Sequence, residues 1–121
     1  MTYVDGFVLP VPKKNIEQYR QIAQKAGAVW MKHGALAYRE CVAEDTEDKG
    51  FCKTFPAIAD PAEGDTVVFA YIVFKSRQHR DEVNAKVMED PALKEMCDEK
   101  NMPFDCKKMA YGGFETIVDF S

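Results

Sequence analysis

The sequence predicts an α+β domain of ferredoxin-like type: strand, helix, strand, strand, helix, strand, giving a four-stranded antiparallel sheet with both helices on one face. Three observations predict it. Residues 66–75 read Thr-Val-Val-Phe-Ala-Tyr-Ile-Val-Phe-Lys, with Val67, Phe69, Tyr71 and Val73 on one parity and Val68, Ala70, Ile72 and Phe74 on the other. Successive strand side chains face opposite ways, so this central strand is expected to leave water on both faces. Residues 13–33 carry Ile16, Tyr19, Ile22, Ala23, Ala26, Val29 and Trp30 at spacings of three and four, one apolar helical stripe. Finally, the remaining segments alternate so that two crossover connections link antiparallel strands.

In order, residues 2–9 form a first strand with Tyr3, Asp5, Phe7 and Leu9 on one face. Asp5 is out of place there, because a mid-strand carboxylate needs a partner or solvent. Pro10 and Pro12 are expected to end the strand, and Pro12 suits the first turn of a helix. Helix 13–33 contains Gly27, a weak point costing up to about 1 kcal/mol relative to Ala, and Gly34 fits the position after its end. Residues 35–44 are a more polar strand (Arg39, Glu40, Glu44), as suits an edge. Cys41 within it reads as a packing residue. Residues 45–65 show no clear periodicity but carry Phe51, Phe55 and Ile58; a stretch this long favours a lid, a binding loop or a hairpin excursion.

Ser76 is the expected N-cap of a helix over residues 77–89, with Val83, Val87 and Met88 on its buried side. Asp90-Pro91 then caps and starts a short helix to about residue 99. Residues 102–108 form a turn-rich connection in which Asp105 does turn chemistry. Residues 109–120 close the sheet, interrupted by Gly112-Gly113, where a bulge or a close backbone approach is expected.

The 121 residues make a single domain over 1–121, with a net charge of −4 that argues against nucleic acid or an anionic membrane as the main partner. The opening Met-Thr-Tyr-Val-Asp-Gly is no secretory signal and no segment spans a membrane, so the expected compartment is the cytoplasm. Cys41, Cys52, Cys97 and Cys106 lack metal-ligand spacing and read as free thiols; no metal site is expected. No triad, phosphate loop or dinucleotide fingerprint appears, and no cofactor is expected. With both helices on one face, the other face of the central strand keeps four apolar residues. A contiguous apolar face of that kind marks an interface, and the expectation is a two-fold homodimer joined through the open sheet face.

Several stretches resemble the YbaA-like bacterial proteins (DUF1428): Tyr3-Val4-Asp5-Gly6-Phe7, Lys32-His33-Gly34-Ala35-Leu36, Asn84-Ala85-Lys86-Val87-Met88 with Asp90-Pro91, and Met102-Pro103-Phe104-Asp105 with Met109 and Gly112-Gly113-Phe114. The resemblance runs nearly end to end. It implies a domain of unknown function in the dimeric α/β-barrel superfamily, which includes cofactor-independent monooxygenases, haem-degrading enzymes, chlorite-dismutase-like proteins and plain ligand binders. It carries over no catalytic residue.

Among individual residues, His33 stands where the first helix ends, and is a candidate general base at the mouth of a pocket between helix and sheet. The plainer reading is a helix-terminal His bonded to a carbonyl. Asp5, which could pair with a cation or polar group from a neighbouring strand, is a second candidate base should burial raise its pKa, against a plainer structural ion pair or Asx turn. Tyr3, Trp30, Phe55, Tyr71 and Tyr111, with Arg39, are candidates to line a pocket for a small apolar or aromatic ligand, against the plainer reading of core aromatics. The functional expectation is a dimeric small-molecule-binding protein with a pocket between helices and sheet, under the 45–65 loop. The alternatives are a small cofactor-independent oxygenase or isomerase with His33 as base, and a purely structural dimer.

Overall fold

A computed structural model describes residues 1–96 and 102–120. The chain runs β1 (Tyr3–Pro12), α1 (Ile16–Lys32), β2 (Ala37–Val42), α2 (Phe55–Ala59), β3 (Asp65–Phe74), α3 (Arg77–Glu89), α4 (Pro91–Met96) and β4 (Ala110–Glu115). The strands form one antiparallel sheet in the order β2-β3-β1-β4. The architecture is therefore α+β with β2 at an edge.

Register sorts the side chains. Asp5 pairs with Ile72 and Gly113, Phe7 with Ala70 and Tyr111, and Leu9 with Val68, so these residues share one face. That face meets the helices in two adjoining clusters. Val29, Ala35, Ile72, Phe74, Val83, Val87 and Leu93 build one, and Leu9, Val11, Tyr19, Ala23, Val68 and Ala70 the other. The opposite face carries Val4 and Val8 of β1, Phe69, Tyr71 and Val73 of β3, Phe114 of β4 and Arg39 and Cys41 of β2.

Several boundaries differ from the sequence expectation for physical reasons. β1 runs through both prolines instead of stopping at Leu9. Beyond Val8 it has no β4 neighbour, and the Lys13 N–H bonds the Gly64 carbonyl on the β3 side at 2.9 Å. Two-residue alternation then turns the Pro10 and Pro12 nitrogens to the free side, where a missing donor costs no ladder bond. Residues 13–15 form a single 3-10 turn before α1, and His33 is its C-cap. Met88 is exposed, because five residues on from Val83 it falls off the Val83–Val87 stripe. Cys41 is exposed as well, since it points to the open face from an edge strand. The outer part of the short helix expected to residue 99 lies outside the described residues, as does Cys97.

The 45–65 segment contains one five-residue helix, α2, with Thr54 capping the Ala57 N–H at 3.3 Å and Asp60 in the left-handed region (φ 51°) ending it. It packs on the open face, where Phe55 meets Phe69 edge-on at 5.7 Å between ring centres and Val67 is buried. The loop therefore covers one end of the face that sequence reasoning left bare. It does not roof the space between helices and sheet. The remainder of that face stays open, with Phe69 40% and Phe114 63% exposed.

Gly112-Gly113 makes no bulge; β4 pairs with β1 continuously. The glycines allow close approach instead. A Cβ at Gly113 would stand 2.8 Å and 2.9 Å from Cε2 and Cζ of the Tyr3 ring, and one at Gly112 would touch the Phe114 ring from the other face.

Candidate functional site

The space between α1 and the sheet is the candidate site. Tyr19 lies on the α1 stripe, Tyr38 and Glu40 sit two apart on β2, and the period of a strand turns both toward the helix. The Tyr19 hydroxyl donates to Glu40 Oε1 at 2.7 Å and the Tyr38 hydroxyl to Oε2 at 2.6 Å. One carboxylate thus receives two phenols. Burial, reinforced by the neighbouring Glu40 charge, raises both phenol pKa values, so both hydroxyls stay protonated donors. Gly27 makes the arrangement possible. A Cβ there would meet the Tyr38 ring at 2.7 Å, so only glycine lets the ring lie flat against the helix. The weak point read from the sequence is a packing requirement.

This cluster stands between two spaces. On the inner side a cavity of about 180 Å³ runs between α1 and the sheet, bounded by Phe7, Ala26, Trp30, Ile72, Met96 and Phe104 among others. On the outer side a wider groove of about 590 Å³ follows α1 along β2, past Glu17, Arg20, Gln24 and Met31. Tyr19, Ala23, Tyr38 and Glu40 border both. Among the described residues Glu40 is the one charged side chain lining the inner cavity, and no Lys, Arg or His is ion-paired with it.

A second polar group lies on the same side of the sheet. Asp5 is 1% exposed. It accepts from Arg80 Nη1 at 3.2 Å and from Asn84 Nδ2 at 3.5 Å, both on α3, while Arg80 Nη1 also donates to the Tyr111 hydroxyl at 2.6 Å. The Arg80 guanidinium stands over the Tyr3 ring at 5.0 Å, and the Trp30 indole N–H donates to Asn84 Oδ1 at 3.0 Å. Asp5's cation thus comes from a helix, while Tyr111 of neighbouring strand β4 supplies a polar partner of the kind the sequence suggested. Burial foremost raises the Asp5 pKa above its ordinary value, against the lowering influence of Arg80, Asn84 and Tyr111.

The sequence-selected residues separate into three groups. Asp5, Tyr3, Trp30 and Tyr111 belong to the Arg80–Asn84 network, and Trp30 also lines the inner cavity. Arg39, Tyr71 and Phe55 gather on the open face, where Arg39 Nη1 donates to the Tyr71 hydroxyl at 2.7 Å and Phe69 lies between the Phe55 and Tyr71 rings, and Tyr71 also borders the inner cavity. His33 stands apart at the end of α1, its Nε2 2.7 Å from Asp90 Oδ2, with Lys32 Nζ on the same oxygen at 3.2 Å. It lines neither the cavity nor the groove. Asp90 also accepts from the Ala92 N–H, and the His33 contact foremost holds its carboxyl down at about 2. His79 caps its own helix, its Nδ1 accepting from the Lys75 N–H. Among the described residues no three His, Cys, Asp or Glu side chains group as a metal site, and no helix is long and apolar enough to cross a membrane.

Sequence reasoning passed over Tyr19, Tyr38 and Glu40. Their signal was available: a tyrosine on a buried stripe requires a partner for its hydroxyl, and Tyr38-x-Glu40 puts a second phenol and a carboxylate on one strand face.

The model of a family described as "Protein of unknown function (DUF1428)" matches residues 2–106. The chain is 44% identical over 119 residues, 98% of its length and 99% of the relative's, to "Uncharacterized protein YbaA" of Escherichia coli strain K12, and equally to the protein of that name from Shigella flexneri. Among solved structures, an uncharacterized NIPSNAP-like domain protein from Burkholderia xenovorans superposes with a TM-score of 0.58, covering 99% of this chain and 88% of that one at 12% identity. At that identity the likeness shows the fold alone.

Proposed function

Since the chain belongs to the YbaA-like DUF1428 family, whose description assigns no activity, we propose from the site itself that it is a small-molecule-binding protein whose ligand occupies the cavity between α1 and the sheet. One observation carries this reading: a largely apolar cavity of about 180 Å³ between α1 and the sheet, with Glu40, fixed by two phenols, as its one charged anchor among the described residues. The strand order with α1, α3 and α4 on one face supports the ferredoxin-like assignment, and the apolar row of half-buried Val4, Val8 and Val73 with exposed Phe69 and Phe114 beyond α2 supports a homodimer closed sheet to sheet as a dimeric α/β barrel. Exposed thiols at Cys41, Cys52 and Cys106 favour a reducing, cytoplasmic setting.

The enzyme reading has less support. His33, its base, is committed to Asp90 away from the cavity, and Asp5 is enclosed by Arg80, Asn84 and Tyr111. Native mass spectrometry of protein taken from cells tests the proposal. A dimer with a reproducible small mass, absent from an Ala26→Leu variant that fills the inner cavity, is the expected result. The same mass retained by that variant would remove the cavity from the account.

A further inference from the structure

The inner cavity is unusual in charge. Its wall is aromatic, aliphatic and methionine side chains apart from Glu40, yet the carboxylate has no cationic partner among the described residues. A carboxylate in such surroundings gains from any donor and most from a cation. The two phenols occupy one acceptor position on each oxygen, and a carboxylate offers about four. Acceptor capacity therefore remains. Both phenols are held in the donor form, so nothing in the cluster supplies positive charge.

Resting on the binding reading above, we propose that the ligand is a small amine, with an apolar body in the inner cavity and an ammonium head on Glu40. An ammonium group brings three donors and the positive charge that no described residue supplies, whereas a carboxylate or phosphate ligand would meet Glu40 with like charge. The size follows from the volume. The cavity measures about 180 Å³, and an apolar cavity of about 150 Å³ holds one benzene ring, so the body is a single ring or a short alkyl chain. Trp30 and Phe104 offer aromatic surface, and Met96, Met102 and Met109 offer adaptable walls. Because Glu40 borders the outer groove as well, the charged head sits at the partition and keeps part of its hydration while the body is buried.

Trp30 is the only tryptophan of the chain and lines the cavity, so its fluorescence reports occupancy directly. The experiment titrates the full chain with 2-phenylethylamine, 2-phenylethanol and ethylbenzene. The amine should bind tighter than either neutral compound by about tenfold or more, as a charge-assisted hydrogen bond provides. Glu40→Gln should abolish that preference while ethylbenzene still binds, and Glu40→Asp should retain it; thermal unfolding of each variant verifies folding. Equal binding of amine and alcohol, or a preference that survives Glu40→Gln, overturns the amine assignment but leaves the cavity reading standing. No response to any of the three compounds overturns both.

Discussion

The Tyr19 hydroxyl reaches across from α1 to Glu40 on edge strand β2 at 2.7 Å, and with Tyr38 on the other oxygen it ties helix to sheet through one carboxylate. The contact is at once a brace and the polar wall of the cavity.

As a brace it should register in stability. Tyr19→Phe and Tyr38→Phe each remove one donor to a charged acceptor, and each should cost about 1–2 kcal/mol in urea unfolding. Because both act on Glu40, their effects should not add. A double-mutant cycle showing full additivity would mean that the two phenols do not share the carboxylate.

Gly27→Ala tests close packing against helix propensity. Propensity favours Ala by about 1 kcal/mol, but the new Cβ would lie 2.7 Å from the Tyr38 ring. Overpacking should win, with a net loss of about 1–2 kcal/mol in denaturant unfolding. A more stable Gly27→Ala protein would show that Tyr38 can swing away freely.

Arg80→Met leaves Asp5 buried without its cation and should cost about 3 kcal/mol at neutral pH. The sign with pH follows from Asp5's folded pKa lying above its unfolded one. Such a group contributes most below the unfolded pKa and loses that contribution as pH rises through the folded pKa. The variant should therefore lose less near pH 4 than near pH 7. Equal losses at both would show that Asp5 is not the group responding.

Asp90 runs the other way. Its folded pKa of about 2 lies below the ordinary carboxylate value, so its contribution is present above the unfolded pKa and disappears as pH falls through the folded one. Urea midpoints of the parent should drop between about pH 4 and pH 2 by more than those of Asp90→Asn. Parallel pH curves would remove the His33–Asp90 contact from the stability account.

Much of the scaffold was legible because single signals carried it. The two-parity apolar run predicted inner strand β3, the three-and-four stripe predicted α1, and Ser76 and Asp90-Pro91 marked two helix starts. Features set by tertiary context were not. α2 is too short to show a period, and β1 passes Pro10 and Pro12 only because one side of it is free there. Asp5 was recognisable as a carboxylate in need of a partner, but nothing local names Arg80, which lies 75 positions away. Glu40 looked like an ordinary polar residue of an edge strand. Its role depends on Gly27 letting Tyr38 lie down and on Tyr19 crossing from the helix.

The central claim is that the space behind Glu40 is a ligand site, and amide and methyl NMR shifts on adding ethylbenzene test it most directly. The account predicts changes concentrated on Phe7, Ala26, Trp30, Ile72 and Leu93, which surround the inner cavity, and their loss in Ala26→Leu. Changes confined to Val4, Val8, Phe69 and Phe114 on the open sheet face, or no changes at all, would contradict it.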